Sequence, residues 1–116
     1  MAKHWTLGCD AADPHALAAF WALALDYVAE PGYDDPDGAS IVDPDGVGPA
    51  IGWLRVPEGK TAKNRLHIDL IAADYEAELD RLIGLGASKV NEFTPGGARW
   101  TTLADPEGNE FDVIAG

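Results

Sequence analysis

The chain reads as an α+β protein built from two tandem βαβββ modules. Three observations predict this. Ala11-Ala12-Asp13 recurs as Ala72-Ala73-Asp74, 61 residues later, each time opening a helical pattern. Asp43-Pro44-Asp45-Gly46 recurs as Asp105-Pro106-Glu107-Gly108, 62 residues later, each time as a turn between strand-like runs. The apolar spacing between these markers follows the same order of strand and helix periods in both halves. A length of 116 residues is one domain, with a real core and no room for an accessory one. In each module one helix can cover one sheet face. The other face buries itself most economically against the second module, which predicts a curved mixed sheet, a half-barrel with a shared central groove. Small-molecule sites favour such concave places.

Module 1 is expected at about 1–57, a linker at 58–63 and module 2 at about 64–116. His4 to Asp10 reads as the first strand. Asp13 is a good N-cap and Pro14 suits the first helical position. Leu17, Phe20, Trp21 and Ala24 then form one apolar stripe. Tyr27 to Glu30, Ser40 to Asp43 and Ala50 to Val56 read as strands, punctuated by Pro31-Gly32, Pro36-Asp37-Gly38 and the Asp43 turn. The polar stretch from Pro57 to Lys63 is read as a mobile link. Asn64 to Ile71 alternates strictly, as a strand does. Asp74 caps a second helix with the stripe Leu79, Leu82 and Ile83, and Gly86 fits its end. Ala87 to Phe93, Arg99 to Leu103 and Glu110 to Ile114 complete the second set of strands, with turns at Pro95-Gly96-Gly97 and at Asp105.

A hydrophobic fraction of 47% and four Trp argue for a folded globule. The formal net charge of -12 disfavours nucleic acid and anionic membrane surfaces as partners. Its first meaning is solubility. Seven carboxylates and no Lys or Arg lie between Asp26 and Asp45, a solvated acidic region that could attract cations. With one cysteine, Cys9, no intrachain disulfide forms, and its apolar run suggests a small hydrophobe packed toward the helix. No leader-like apolar region and no membrane-length apolar run occurs, so a cytoplasmic location is expected.

The stretches ADPHALAAFWALAL (12–25), NRLHIDL (64–70) and WTTLADPEGNEFDVI (100–114), in this order, resemble the vicinal oxygen chelate superfamily, the glyoxalase, bleomycin-resistance and extradiol-dioxygenase group. The likeness is to its short glyoxalase-like members and covers essentially the whole chain. It implies paired βαβββ units with a shared groove. Many members hold a divalent metal there with four side chains, two from each unit, while others bind a drug or metabolite without metal.

Alternation in NRLHIDL puts Arg65, His67 and Asp69 on one face and Leu66, Ile68 and Leu70 on the other, so His67 faces the groove. By the resemblance it falls on a ligand position. Asp112 should also face the groove, at a position where metal-binding relatives carry a Glu. In the first half the equivalent of His67 is Thr6, a poor ligand. The equivalent of Asp112 is Ala50 by the ungapped offset, Leu54 by the family's register, or Gly52 between them; none can ligate. His4 shares the parity of Thr6 but lies nearer the terminus. If a metal such as Zn, Ni, Fe or Mn binds, its ligands would be His67, Asp112 and His4.

The sequence therefore favours a small-molecule binder whose groove carries Thr6, Leu54, His67, Trp100, Thr102 and Asp112, without a catalytic metal. Trp5, Trp21 and Trp53 are read as core, and Arg99 as lying on the face opposite Trp100 or reaching around an edge. A metal-dependent lyase or dioxygenase using His67 and Asp112 is the alternative. Without metal, the same two residues could still be catalytic, His67 as a base oriented by Asp112 or Asp69. A structural or interaction domain is a third class. Many relatives pair, so a homodimer is expected.

Overall fold

A computed structural model describes residues 4–94 and 97–116. The chain divides into two compact units, Met1–Gly59 and Lys60–Gly116, each described by itself. The first contains β1 (Leu7–Ala11), α1 (Pro14–Leu25), β2 (Val28–Ala29), β3 (Gly38–Val42) and β4 (Ile51–Arg55). The second contains β5 (Asp69–Ala72), α2 (Tyr75–Leu85), β6 (Ser88–Phe93), β7 (Trp100–Ala104) and β8 (Glu110–Ala115). Each is a βαβββ module, as the repeat predicts. The sheets have the same topology, β1-β4-β3-β2 and β5-β8-β7-β6, with only the first pair of each parallel. The Pro95-Gly96-Gly97 turn lies partly outside the described residues.

The helices start where the sequence caps them. Asp13 accepts from the Ala16 amide and Asp74 from the Ala77 amide, both at 3.2 Å, satisfying donors the helix leaves orphaned. Both expected turns are built the same way. Asp43 accepts from the amides of Asp45, Val47 and Gly48, and Asp105 from those of Glu107 and Asn109. The recurring DPxG is thus a recurring carboxylate that ties its own loop together.

α1 buries Leu17, Phe20, Trp21 and Ala24 as its spacing predicts, over Ile41, Ile51 and Trp53 of its sheet. In the second unit Leu82, Tyr75, Thr101, Leu103, Phe111 and Val113 are buried. The Tyr75 hydroxyl meets the Thr101 hydroxyl there, so neither polar group is left unpaired.

Four readings need correction. Trp5 is 62% exposed rather than core, because β1 begins only at Leu7 and the residues before it run past the end of their partner strand. Leu66 is 86% exposed. The segment before β5 does not continue as a strand but crosses the start of β8, where Asn64 and Glu110 exchange hydrogen bonds. Ile83 is 45% exposed, since Tyr75 and Leu82 carry the buried face of α2. The second half of the link is tied down: Lys60 pairs with Glu110 at 3.0 Å and donates to the Ala62 carbonyl.

Candidate functional site

In the second unit the burial pattern separates the two sheet faces. Thr101, Leu103, Phe111 and Val113 are buried, while Trp100, Thr102, Asp112 and Ile114 alternate with them on the open face. Register then sets the neighbours: Thr102 lies opposite Asp112, Asp112 opposite Asp69, and Trp100 opposite Ile114 and Phe93. Strand residues two apart share a face, so Trp100 and Thr102 stand about 7 Å from one another along β7.

His67 sits just before β5, positioned by the Asp112 amide donating to the Ile68 carbonyl. Its Nδ1 is 2.7 Å from Asp69 Oδ1 and 3.7 Å from Asp112 Oδ2. The other Asp112 oxygen accepts the Thr102 hydroxyl at 2.6 Å. A carboxylate only accepts, so Nδ1 of the neutral ring carries the proton and Nε2 offers a lone pair. The result is two hydrogen-bonded pairs, Asp69–His67 and Asp112–Thr102, set 3.7 Å apart, with Nε2 of the neutral ring left unprotonated. Beside it, Phe93 and Trp100 stack at 5.1 Å between centroids and 22° between planes, a flat apolar wall.

The charged groups around this face are committed elsewhere. Arg99 lies on the opposite side, as its parity predicts. Its guanidinium is 4.4 Å from the Tyr75 ring centroid and pairs with Glu76 and Glu92. The Glu76 hydrogen bond holds its proton more firmly than usual, and Glu92 is in turn held below the usual carboxyl range by Lys89. Burial pushes the Glu110 carboxyl up, but hydrogen bonds from Lys60, its own amide and Asn64, with the Lys60 charge, outweigh this and lower it.

Among the described residues, one group of side chains is close enough to share a metal ion: His67, Asp69 and Asp112, whose donor atoms lie within 4.8 Å of one another. The first unit offers no counterpart. Ala11 and Ala72 both end the strand before the helix, and three residues back stand Gly8 and Asp69. Their partners across the parallel pair are Gly52 and Asp112. Of the three alternatives for the equivalent of Asp112, the strand register selects Gly52. The first-unit positions are therefore Thr6, Gly8 and Gly52, with no imidazole and no carboxylate. A four-donor centre drawing two side chains from each unit does not fit this chain.

His4 is exposed and precedes β1 in the first unit. Thr6 and Leu54 line a shallow cavity of about 570 Å³ in the first unit, with Gly8, Ala50 and Gly52. Leu54 is 55% exposed there, opposite in parity to buried Trp53. Cys9 is half-buried and pairs across the sheet with Trp53, on the helix side. Sequence reasoning missed Phe93 as the partner of Trp100. A β-bulge between Lys89 and Asn91 shifts the register of β6, and no local signal reveals it.

The sequence profile of the glyoxalase-like domain matches residues 6–114. A search of curated proteins gives no match. Among solved structures, the chain resembles the fosfomycin resistance protein FosX from Listeria monocytogenes, solved with Mn(II) and 1S,2S-dihydroxypropylphosphonic acid (TM-score 0.77, 15% identity, 100% of this chain and 92% of that one). It also resembles a glyoxalase/bleomycin resistance protein/dioxygenase family enzyme from Burkholderia phytofirmans (TM-score 0.76, 14% identity, 95% of each chain). A superfamily member from Sphaerobacter thermophilus follows at TM-score 0.70 and 20% identity, with 100% and 98% covered. At these identities the structures speak for the fold. With the profile spanning nearly the whole sequence and the two modules in place, this chain belongs to the glyoxalase-like domain family.

Proposed function

We propose that this chain binds a small organic molecule on the open face of its second sheet, without a catalytic metal. The observation that carries the reading is the register comparison: Asp69 and Asp112 correspond to Gly8 and Gly52, and His67 to Thr6. The donors present are also committed to one another, His67 Nδ1 to Asp69 and Asp112 to Thr102. What this leaves for a ligand is a flat wall, Trp100 and Phe93, next to an acceptor-rich polar edge. A planar group lies against the rings while its hydrogen-bond donors meet His67 Nε2 and the carboxylates. The strand residues described on this face include no Lys or Arg, and Lys60 at its Glu110 end is held by that carboxylate. Thr6 and Leu54 enter the proposal only as lining of the first unit's own cavity.

The test is a ligand screen read by Trp fluorescence. Hits that quench the native protein and lose the signal in Trp100→Phe support the reading. Hits unaffected by Trp100→Phe and by Asp112→Asn place binding elsewhere and overturn it.

A second reading is favoured by one observation, the 4.8 Å spacing of the three donors. In it His67, Asp69 and Asp112 hold a divalent cation with open positions, and the ion would polarise a ligand oxygen. The chain's own contribution would be to present two carboxylates and one imidazole from a single sheet.

A further inference from the structure

The first unit holds a cavity that the reading above does not use. It has a volume of about 320 Å³ and lies between α1 and the segment running from β2 into β3. Its floor is apolar and low: Ala18 and Ala22 of α1 face Ala39 and Ile41 of β3. Small side chains on both sides leave the space, and Ala18, Ala39 and Ile41 are themselves buried.

The rim is acidic. Glu30, Asp34 and Asp35 line it, together with His15 and Tyr33, and no lining residue is Lys or Arg. Two rim groups are committed to the loop. His15 Nε2 lies 3.0 Å from the Asp35 carbonyl, to which it donates, and the Asp35 carboxylate accepts the Asp37 amide at 2.8 Å. Arg55, which points at the same loop, is held by Asp37 and by the Pro36 and Ala12 carbonyls. The Glu30 and Asp34 carboxylates have no hydrogen-bond or ion-pair partner among the described residues.

We propose that this cavity binds a small organic ammonium ion, its hydrocarbon body on the alanine floor and its charge between Glu30 and Asp34. An apolar floor favours a carbon skeleton over a bare ion, because covering methyl groups removes apolar surface from water. Unpaired carboxylates at the rim select a cation and supply charge-assisted hydrogen bonds to it. An anion of the same shape meets only acceptors. The proposal concerns the first unit alone and stands or falls separately from the site on the second sheet.

The probe is n-butylammonium, with n-butanol and butyrate as neutral and anionic counterparts, read by backbone and methyl chemical shifts. Saturable shifts at Ala18, Ala22 and Ala39 with the ammonium alone are expected. Glu30→Gln should weaken binding about tenfold, the equivalent of one charge-assisted hydrogen bond. Ala22→Leu should abolish it by filling the floor, with circular dichroism confirming that each variant is folded. Equal shifts with butanol would reduce the cavity to an apolar cleft. Unsaturable shifts spread over acidic surface positions such as Glu58 would mean loose counter-ion attraction. Either result overturns the proposal.

Discussion

At His67 the deciding feature is which ring nitrogen is committed. Nδ1 points at Asp69 and Asp112, so the neutral ring presents Nε2 to whatever approaches the open face. In nitrogen-detected NMR the neutral ring should show the Nδ1–H form, and Asp69→Asn should mix in the other tautomer; equal tautomer populations in both proteins would remove Asp69 from this role. Gly48 makes a different residue-scale test. A Cβ there would stand 2.1 Å from the Tyr27 hydroxyl, which donates to the Pro49 carbonyl at 2.9 Å. Burial, then the Asp43 charge, keeps the Tyr27 phenol protonated to higher pH than usual. Gly48→Ala should therefore cost about 1–3 kcal/mol in denaturant unfolding, through overpacking and the lost hydrogen bond. The cost should shrink when Tyr27→Phe removes the hydroxyl beforehand. An unchanged cost in that background would mean that the backbone, not the phenol, resists the substitution.

At the scale of elements, caps and loop-tying carboxylates decide where helices and turns fall. Asp74→Ala should destabilise by about 1 kcal/mol through loss of the Ala77 amide's acceptor, read as a lower midpoint in urea. The start of β8 carries part of the pH dependence. Glu110 holds Lys60 and the Asn64 amide, and its folded titration lies below the unfolded value of 4.5. The stability it contributes is therefore fully present above pH 4.5 and is lost as the pH falls through the lower folded value. Lys60→Ala should move the Glu110 titration upward and flatten the acid side of the stability profile. A carboxyl titration by NMR that does not move would show that Lys60 contributes nothing there. These elements were legible because their signals are local: Asp13 with Pro14, Asp74, and the two DPxG turns each act within a few residues. Leu66 was not, because strict alternation cannot tell a strand from a segment that crosses the end of its partner.

Across the whole molecule, the repeat supplied the order of elements and three sequence stretches the family, while the pairing of distant strands decided the site. His67 and Asp112 could be assigned to one face from alternation alone. The equivalent of Asp112 in the first half could not, because the loops after the two turns differ in length and only the Gly8–Gly52 pairing fixes the count. Trp100 was assigned to the open face, but its partner Phe93 depends on a bulge. The cavity beside α1 depends on the path of the segment between β2 and β3, which composition marks only as acidic. No helix among the described residues is long and apolar enough to cross a membrane.

The central claim is that the acid and imidazole cluster of the second sheet serves a ligand without a catalytic metal. The most direct measurement is elemental mass spectrometry of protein purified without chelator and then incubated with Mn, Zn or Ni, beside a His67→Ala control. The account predicts far less than stoichiometric metal in both samples. A stoichiometric ion that disappears in the control would contradict it and establish His67, Asp69 and Asp112 as a metal centre.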